Sequence, residues 1–271
     1  MKQFLHRLYH AVLRVFPSCI TFTQAVAFNM FLAFFPMLLV AFAVIAGSTP
    51  LRQAFLSALL RLRPVLPPGT VGIANEFIVT YGSTPWSWAF LGLVGTLLAG
   101  TQTMKLLTDG FRMVHGDRRP PRFLSRHLRA LLLLVLTIGP FVLGVSLIVF
   151  GRQVRGWIVY WIPALPPMGL LWMFVYVAIA LTLIMLVLSV IYRVGRGVQQ
   201  PWNAVFPGAA VATLLWWGVS AGLGFYLQHL PYDLVYGTLA VTIGLLLWMQ
   251  LTAIILFIGA AFNAEVQQSR P

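Results

Sequence analysis

Six long apolar stretches, separated by short segments that carry nearly all of the charge, dominate the pattern of this chain. A helix needs roughly 20 consecutive apolar residues to cross a bilayer core about 30 Å thick. Each stretch meets that length, and the predicted spans cover about residues 22–47, 86–108, 128–150, 168–192, 205–227 and 236–262. The pattern therefore predicts an all-α integral membrane protein with six transmembrane helices, in one membrane domain over residues 22–265.

Outside the spans, two segments have the pattern of an amphipathic helix. In residues 1–21, apolar side chains recur every three or four positions between basic ones, which predicts an interfacial helix in the headgroup plane. A plain cytoplasmic tail is the alternative. Loop 1–2, about residues 48–85, has apolar helical stretches broken by prolines, so we expect short amphipathic helices there. Residues 266–271 are predicted to be a cytoplasmic tail.

The chain is strongly basic, with 18 Lys+Arg against 5 Asp+Glu and a net charge of +13. Thirteen of the basic residues lie in the N-terminal segment, loop 2–3, loop 4–5 and the C-terminus, and five lie in the other loops. Because cytoplasmic loops collect Lys and Arg, this asymmetry predicts a multi-pass protein with both termini in the cytoplasm. A basic pI also raises nucleic acid as a partner, but few aromatic residues interleave the basic ones, and we expect none.

Loop 2–3 is the densest polar feature. Clustered Arg beside a span end attracts anionic headgroups, and the planar guanidinium group of Arg binds phosphate through two N–H donors at once. Membrane lipids are therefore the expected partners, and the candidates for headgroup or phosphate contact are Arg112, Arg118, Arg119, Arg122 and Arg126. A topology signal with simple anchoring and a substrate-phosphate site are the alternatives that the pattern leaves open. Lys105 and Asp109 lie four residues apart, so we expect them to pair on one helix face.

Polar residues and prolines are few within the spans. A polar side chain in hydrocarbon must find an internal partner or face a wet cavity, and helix breaks in transporters often lie beside the substrate path. The candidates for such a path are Asn29, Pro36, Pro207, Gln250 and Asn263. Interhelical hydrogen bonds that hold the bundle together, and simple kinks at the prolines, are the alternative interpretation.

The sequence shows none of the residue patterns that are typical of a catalytic site. General acid–base catalysis needs titratable groups in one pocket, but the five acidic residues are scattered over four regions. The histidines have no metal-ligand spacing, and no nucleophile or phosphate-loop motif occurs. The single cysteine, Cys19, excludes an intrachain disulfide. We therefore expect no catalytic residues, no metal and no cofactor, and a protein that is not an enzyme.

Several short motifs occur in an order that is typical of one protein family. Span one runs from Ala25 through Phe35-Pro36, span five contains Phe206-Pro207-Gly208-Ala209, and Tyr236-Gly237 and Gly259-Ala260-Ala261-Phe262-Asn263-Ala264-Glu265 follow in span six. In this order they resemble the YihY/BrkB family of bacterial membrane proteins, once labelled ribonuclease BN. Ala261 stands where that family usually has an acidic residue. Glu265, four residues on, offers a carboxylate on the same helix face.

The resemblance implies a six-span protein of the bacterial inner membrane, associated with movement of lipids or other amphiphiles. The leading hypothesis is a transporter-like protein that moves a phosphate-bearing lipid or amphiphile across or between envelope membranes. A channel or small-solute exporter and a non-transporting envelope scaffold are the alternatives. Whether the chain forms a homo-oligomer is left open by the sequence.

Overall fold

The computed structural model describes most of the chain, namely residues 2–62, 76, 85–117, 123–140, 169–197, 200–229 and 239–268. Every regular element within these ranges is a helix, which confirms the predicted all-α class. In chain order the helices are α1 (Lys2–Gly47), α2 (Thr49–Leu62), α3 (Pro85–Val114), α4 (Phe123–Pro140), α5 (Gly169–Gly195), α6 (Trp202–His229) and α7 (Leu239–Gln268).

Six of these helices, all except α2, are long and apolar enough to cross a membrane. They correspond one for one to the six predicted spans, so the prediction of a multi-pass membrane protein is confirmed. Helix α2 is the short helix expected at the start of loop 1–2. The rest of that loop, apart from Glu76, and the predicted end of span three after residue 140 lie outside the described residues.

The N-terminal segment is helical as predicted, but it is not a separate element. Helix α1 continues without a break from Lys2 through residue 21 into span one. Basic residues change the polarity of the helix surface without interrupting its backbone hydrogen bonds, so they do not end it. One face of this segment packs into the protein at a spacing of four residues, and its buried members are Ala11, Val15, Cys19 and Thr23.

Helix α7 also extends further than expected. Span six was predicted to end near residue 262, whereas the helix continues to Gln268. The added turns are polar, yet Glu265, Gln267 and Gln268 all bond to neighbouring segments. Those partners hold the first residues of the predicted C-terminal tail in the helix, and residues 269–271 lie outside the described ranges.

The chain divides into two compact units. Unit 1 consists of the described residues within Met1–Phe31, Ala99–Pro140 and Met173–Pro271, and unit 2 of those within Leu32–Leu98 and Phe141–Trp172. In unit 1, α6 packs against α7, and an aromatic core joins α3, α5 and α7. Phe111 lies at its centre, with its ring centroid 5.3 Å from that of Tyr192 and 5.5 Å from that of Phe257.

Unit 2 contains the proline of span one. Pro36 of α1 packs directly on α3, where two glycines allow the backbones to approach. A Cβ atom on Gly92 would lie 2.7 Å from the Pro36 carbonyl oxygen, and one on Gly95 would lie 2.9 Å from the Pro36 ring. Pro36 therefore forms a tight helix contact in this unit.

Candidate functional site

The most elaborate polar structure lies at one end of unit 1, where α3 ends. Gly116 has a φ of 76° and its N–H donates to the Met113 carbonyl over 3.0 Å, while the Asp117 N–H donates to the Arg112 carbonyl over 2.9 Å. These two bonds form a Schellman cap, which stops the helix and needs the left-handed conformation that glycine adopts without strain. The cap places the Asp117 carboxylate beside the end of α5.

Asp117 there forms a bidentate ion pair with Arg196. The Arg196 Nε atom donates to Oδ2 over 3.0 Å and its Nη2 atom to Oδ1 over 3.4 Å. The Arg196 Nη1 atom donates to Gln267 Oε1 over 3.1 Å. Arg196 follows the end of α5, where Gly197 has a φ of 77° and its N–H donates to the Val194 carbonyl over 3.1 Å. One guanidinium therefore ties the ends of α3, α5 and α7 together.

A second ion pair joins α1 to α7 at the same end. The Arg14 Nη2 atom lies 3.0 Å from Glu265 Oε1 and 3.2 Å from Gln268 Oε1. We call the region around the Asp117–Arg196 and Arg14–Glu265 pairs the charged end. It brings together the N-terminal segment, the ends of loops 2–3 and 4–5 and the C-terminal segment. The four segments that the charge asymmetry placed on one side thus share one end of unit 1.

A cavity of about 250 Å³ opens at the charged end. We call it the end cavity, and its walls come from α1, from the end of α3 and from α7: Arg14, Cys19, Met113, Val114, His115, Gly116 and Gln268. Its walls contain both apolar and polar side chains. None of the five predicted path residues lines this cavity.

His115 is the titratable wall residue with the most unusual surroundings. Its Nδ1 atom lies 2.8 Å from the Phe111 carbonyl oxygen, which can only accept, so Nδ1 carries a proton. Burial lowers the pKa of His115 below its usual value, and the positive charges of Arg196 and Arg14 lower it further, against the Phe111 hydrogen bond and the Asp117 charge. The imidazole is therefore neutral near pH 7, with Nε2 as a hydrogen-bond acceptor.

Two polar atoms of the cavity walls are buried without a hydrogen-bond partner in the part of the chain that the structure describes. They are the Nη1 atom of Arg14, a donor, and the Nε2 atom of His115. Buried polar atoms in native proteins nearly always have partners. Both residues line the cavity, and the described protein leaves one donor and one acceptor of theirs without a partner.

Of the headgroup candidates in the predicted basic loop, neither Arg112 nor Arg126 lines this cavity. Arg126 forms an ion pair with Asp109, and Arg112 takes part in the α3 cap through its carbonyl. Arg118, Arg119 and Arg122 lie outside the described residues. Of the two headgroup candidates within the described ranges, Arg126 is engaged within the protein.

The predicted pairing of Lys105 with Asp109 is wrong. Both side chains reach across to α4 instead: Asp109 pairs with Arg126, and Lys105 Nζ lies 3.2 Å from His127 Nε2. The start of α4 lies beside this part of α3 and supplies partners that bridge two helices.

Two of the polar candidates within the spans, Asn263 and Gln250, bond across helices. Asn263 is buried and bridges α7 to α6: its Oδ1 accepts from the Gly208 N–H over 2.7 Å, and its Nδ2 donates to the Val205 carbonyl over 3.1 Å. These backbone groups flank Pro207, which supplies no N–H to the helix. The Asn263 amide therefore acts where the α6 backbone is interrupted.

Gln250 and Asn29 lie elsewhere in unit 1. The Gln250 Nε2 atom donates to Thr23 Oγ1 over 3.1 Å, which joins α7 to α1, and Asn29 Nδ2 donates to the Ala25 carbonyl of its own helix over 2.8 Å. Gln250 and Asn263 are separated by about 20 Å along α7, at 1.5 Å per residue. The candidates of this unit are thus spread along the helices.

A model of the family described as "Virulence factor BrkB" matches residues 18–271, nearly the whole chain. The chain belongs to this family. Its membership confirms the resemblance predicted from the motifs, and the protein is a membrane protein of the BrkB family.

The relatives of this BrkB-family chain share a modest fraction of identical residues with it. A UPF0761 membrane protein of Laribacter hongkongensis is 28% identical over 257 residues, covering 92% of this chain and 58% of that protein. One from Chromobacterium violaceum is 25% identical over 254 residues, covering 92% and 59%. The ribonuclease-like protein YfkH of Bacillus subtilis is 22% identical over 180 residues, covering 66% of each chain. The chain thus spans less than two thirds of the length of the first two relatives. No solved structure matches it.

The BrkB-family motifs of spans five and six meet where α6 packs on α7, and Tyr236-Gly237 lies outside the described residues. A Cβ on Gly259 would lie 2.8 Å from the Gly208 carbonyl oxygen, so both glycines are needed for the backbones to touch. Tyr192 Oη donates to the Leu256 carbonyl over 2.9 Å beside them. Ala261 is buried, and Glu265 takes the ion pair with Arg14. These motif residues thus build the joint between the two helices.

Sequence reasoning missed most of the end cavity. Arg14, His115 and Gln268 were not among the candidates, because each has an ordinary setting in the sequence. One signal was present for α1: the small or short side chains Ala11, Val15 and Cys19 recur every four residues, which is typical of a helix face packed against another helix.

Proposed function

We propose that this BrkB-family protein is transporter-like and moves a phosphate-bearing lipid or amphiphile across or between envelope membranes. The end cavity is the observation that carries the proposal. Apolar Met113 and Val114 share its walls with polar Arg14, His115 and Gln268, and an amphiphile needs both kinds of surface where its headgroup meets its chains. A ligand site generally combines apolar walls with a few placed polar groups.

The charge of this end supports the same proposal. Asp109, Asp117 and Glu265 each neutralise one arginine, but Arg112, Arg129 and Arg193 add positive charge around the same helix ends. Anionic lipids of the cytoplasmic leaflet attract such clusters. We place the charged end, and with it both termini, on the cytoplasmic side of the inner membrane.

A non-enzymatic role is part of the proposal. A general acid or base needs a titratable group that is free to reach a substrate. Asp117 and Glu265 of the charged end, and Asp109 beside α4, are each held by an arginine, which supports a role in structure rather than in proton transfer.

Lipid exchange between leaflets tests the function. The purified protein is reconstituted into liposomes that contain a fluorescent phospholipid, and the fraction quenched by a membrane-impermeant reductant is followed over time. We expect faster exchange than in empty liposomes and in liposomes with the same mass of heat-inactivated protein. Lipid exchange equal to both controls, with faster passage of a small trapped solute, would replace the lipid proposal with a solute exporter.

A non-transporting scaffold has one specific observation in its favour. Several polar side chains of the spans bond to each other across helices: Gln250 to Thr23, Trp216 to Thr252 over 3.2 Å, and Trp248 to Ser220 over 3.1 Å. Such bonds stabilise a closed bundle. Lipid exchange and solute flux that both match the controls would establish this second candidate.

A further inference from the structure

The end cavity carries a chemical preference that follows from how His115 is held. Its Nδ1–H donates to the Phe111 carbonyl, so the neutral ring presents a lone pair at Nε2 and no proton there. A ligand group beside Nε2 must therefore be a donor, such as an ammonium or a hydroxyl. A quaternary ammonium has no N–H and cannot fill this role.

Arg14 supplies the complementary group. Its Nη2 atom is taken by Glu265 and Gln268, whereas its Nη1 atom is buried and unpartnered within the described ranges. Glu265 is not a wall residue of the cavity. An acceptor that carries negative charge, above all a phosphate oxygen, is the best partner for a guanidinium N–H in such a site.

We infer that the end cavity binds a phosphoester whose headgroup also carries an N–H or O–H donor, with the phosphate on Arg14 and the donor on His115. Phosphoethanolamine and phosphoglycerol headgroups fit this description, and phosphocholine does not. The inference deepens the proposed function and rests on it for a lipid as the source of the headgroup. The shared chemistry also fits a soluble phosphoester.

The charges around His115 agree with this assignment. Arg14 comes from α1, Asp117 follows α3 and Arg196 follows α5, and Glu265 of α7 pairs with Arg14. Cys19 of α1 is the other titratable wall residue. Burial, helped by the two arginines, lowers the pKa of His115, which preserves the acceptor at Nε2 that the donor of the headgroup needs.

Binding of matched headgroups tests the inference. Detergent-solubilised protein is titrated with short-chain phosphatidylethanolamine and phosphatidylcholine below their micelle concentrations, and with soluble phosphoethanolamine and phosphocholine. One hydrogen bond to an otherwise unsatisfied buried group corresponds to about a tenfold difference in Kd. We therefore expect the ethanolamine compound of each pair to bind about tenfold more tightly. Equal affinities for ethanolamine and choline compounds would overturn the inference.

Variants assign the preference to its residues. His115→Leu removes the acceptor and should reduce ethanolamine binding to the choline level, whereas His115→Gln places an amide near the same position and should retain most of the preference. His127→Leu is the matched control, because His127 Nδ1 bonds the Phe123 carbonyl in the same way but lies outside the cavity. Loss of the preference in the control as well as in His115→Leu would contradict the assignment.

The two proposals fail separately. Selective binding without faster lipid exchange would refute the transport function and leave the headgroup site standing. Exchange of ethanolamine and choline lipids at equally raised rates, together with equal affinities, would refute the headgroup site and leave the transport function standing. Tight binding of soluble phosphoethanolamine that acyl chains do not improve would support the site and assign it to a soluble phosphoester.

Discussion

The Oδ1 atom of Asn263 accepts a hydrogen bond of 2.7 Å from the backbone N–H of Gly208, the residue that follows Pro207. The same amide donates to the Val205 carbonyl. A side chain of α7 thus bonds backbone groups on both sides of the proline in α6. This explains how a helix with an interior proline stays packed at a buried joint.

Removing the Asn263 amide should lower the stability of the folded protein. Asn263→Ala leaves a buried N–H and a buried carbonyl without their side-chain partner, which costs about 2 kcal/mol. We expect a clearly lower Tm in detergent by thermal unfolding. Asn29→Ala is the matched control, because among the described residues Asn29 bonds to its own helix and is half-buried. An equal Tm loss in both variants would show that Asn263 has no special role.

The glycines of α6 should differ sharply in their tolerance of a methyl group. Gly208→Ala would bring a Cβ into the Gly259 carbonyl and the Asn263 amide, so we expect marked destabilisation or loss of folded protein. Gly218→Ala should be neutral or stabilising by about 0.5–1 kcal/mol, since none of the described residues comes within 4 Å of its Cβ position and alanine favours helix. The comparison uses folded yield by size-exclusion chromatography and Tm. Similar values for the two variants would rule out the close approach of α6 and α7.

The Asp117–Arg196 pair should show a measurable coupling energy. Both side chains are partly exposed, so we expect about 0.5–1 kcal/mol from a double-mutant cycle with Asp117→Asn and Arg196→Gln. The coupling should shrink as salt rises, because screening weakens partly exposed pairs. Free energies of unfolding at low and high salt provide the test. Strictly additive single variants would mean that the pair contributes nothing.

Acid should destabilise the protein through His115. Its pKa is lowered in the folded state, so below the usual value of about 6.5 the unfolded chain binds the proton more readily than the folded one. The stability is complete above that pH and falls as the pH decreases through the lowered pKa. His115→Gln should reduce the loss of Tm between pH 7 and pH 5. An unchanged pH profile in that variant would assign the acid sensitivity to other groups.

The sequence was sufficient for the six spans because a membrane helix is specified locally. About 20 apolar residues in a row are a property of one segment, and α1 ends at Gly47, where the pattern placed its end. The family motifs were also readable, since each is a short run of neighbouring residues. The structural role of these motifs could not be predicted, because it depends on a contact between Gly208 and Asn263, which belong to different helices.

The end cavity depends on pairings that local patterns do not contain. Arg14 meets Glu265, and Asp117 meets Arg196, across long stretches of chain. The one ion pair inferred from local spacing, Lys105 with Asp109, is wrong because a neighbouring helix supplies better-placed partners. Helix spacing tells which side chains share a face, and only the packing of helices tells what lies opposite that face.

A thiol placed at the mouth of the end cavity tests the central claim most directly. In a Cys19→Ala background, Gln268→Cys puts a single thiol on the cavity wall, and Thr49→Cys puts one on the exposed start of α2. The rate of phosphatidylethanolamine exchange in liposomes is measured for each protein before and after complete modification with a bulky maleimide, verified by mass spectrometry. We predict that modification at residue 268 lowers the rate to that of empty liposomes, whereas modification at residue 49 leaves it unchanged. Exchange that continues undiminished with residue 268 fully modified would contradict the claim that the amphiphile uses this cavity.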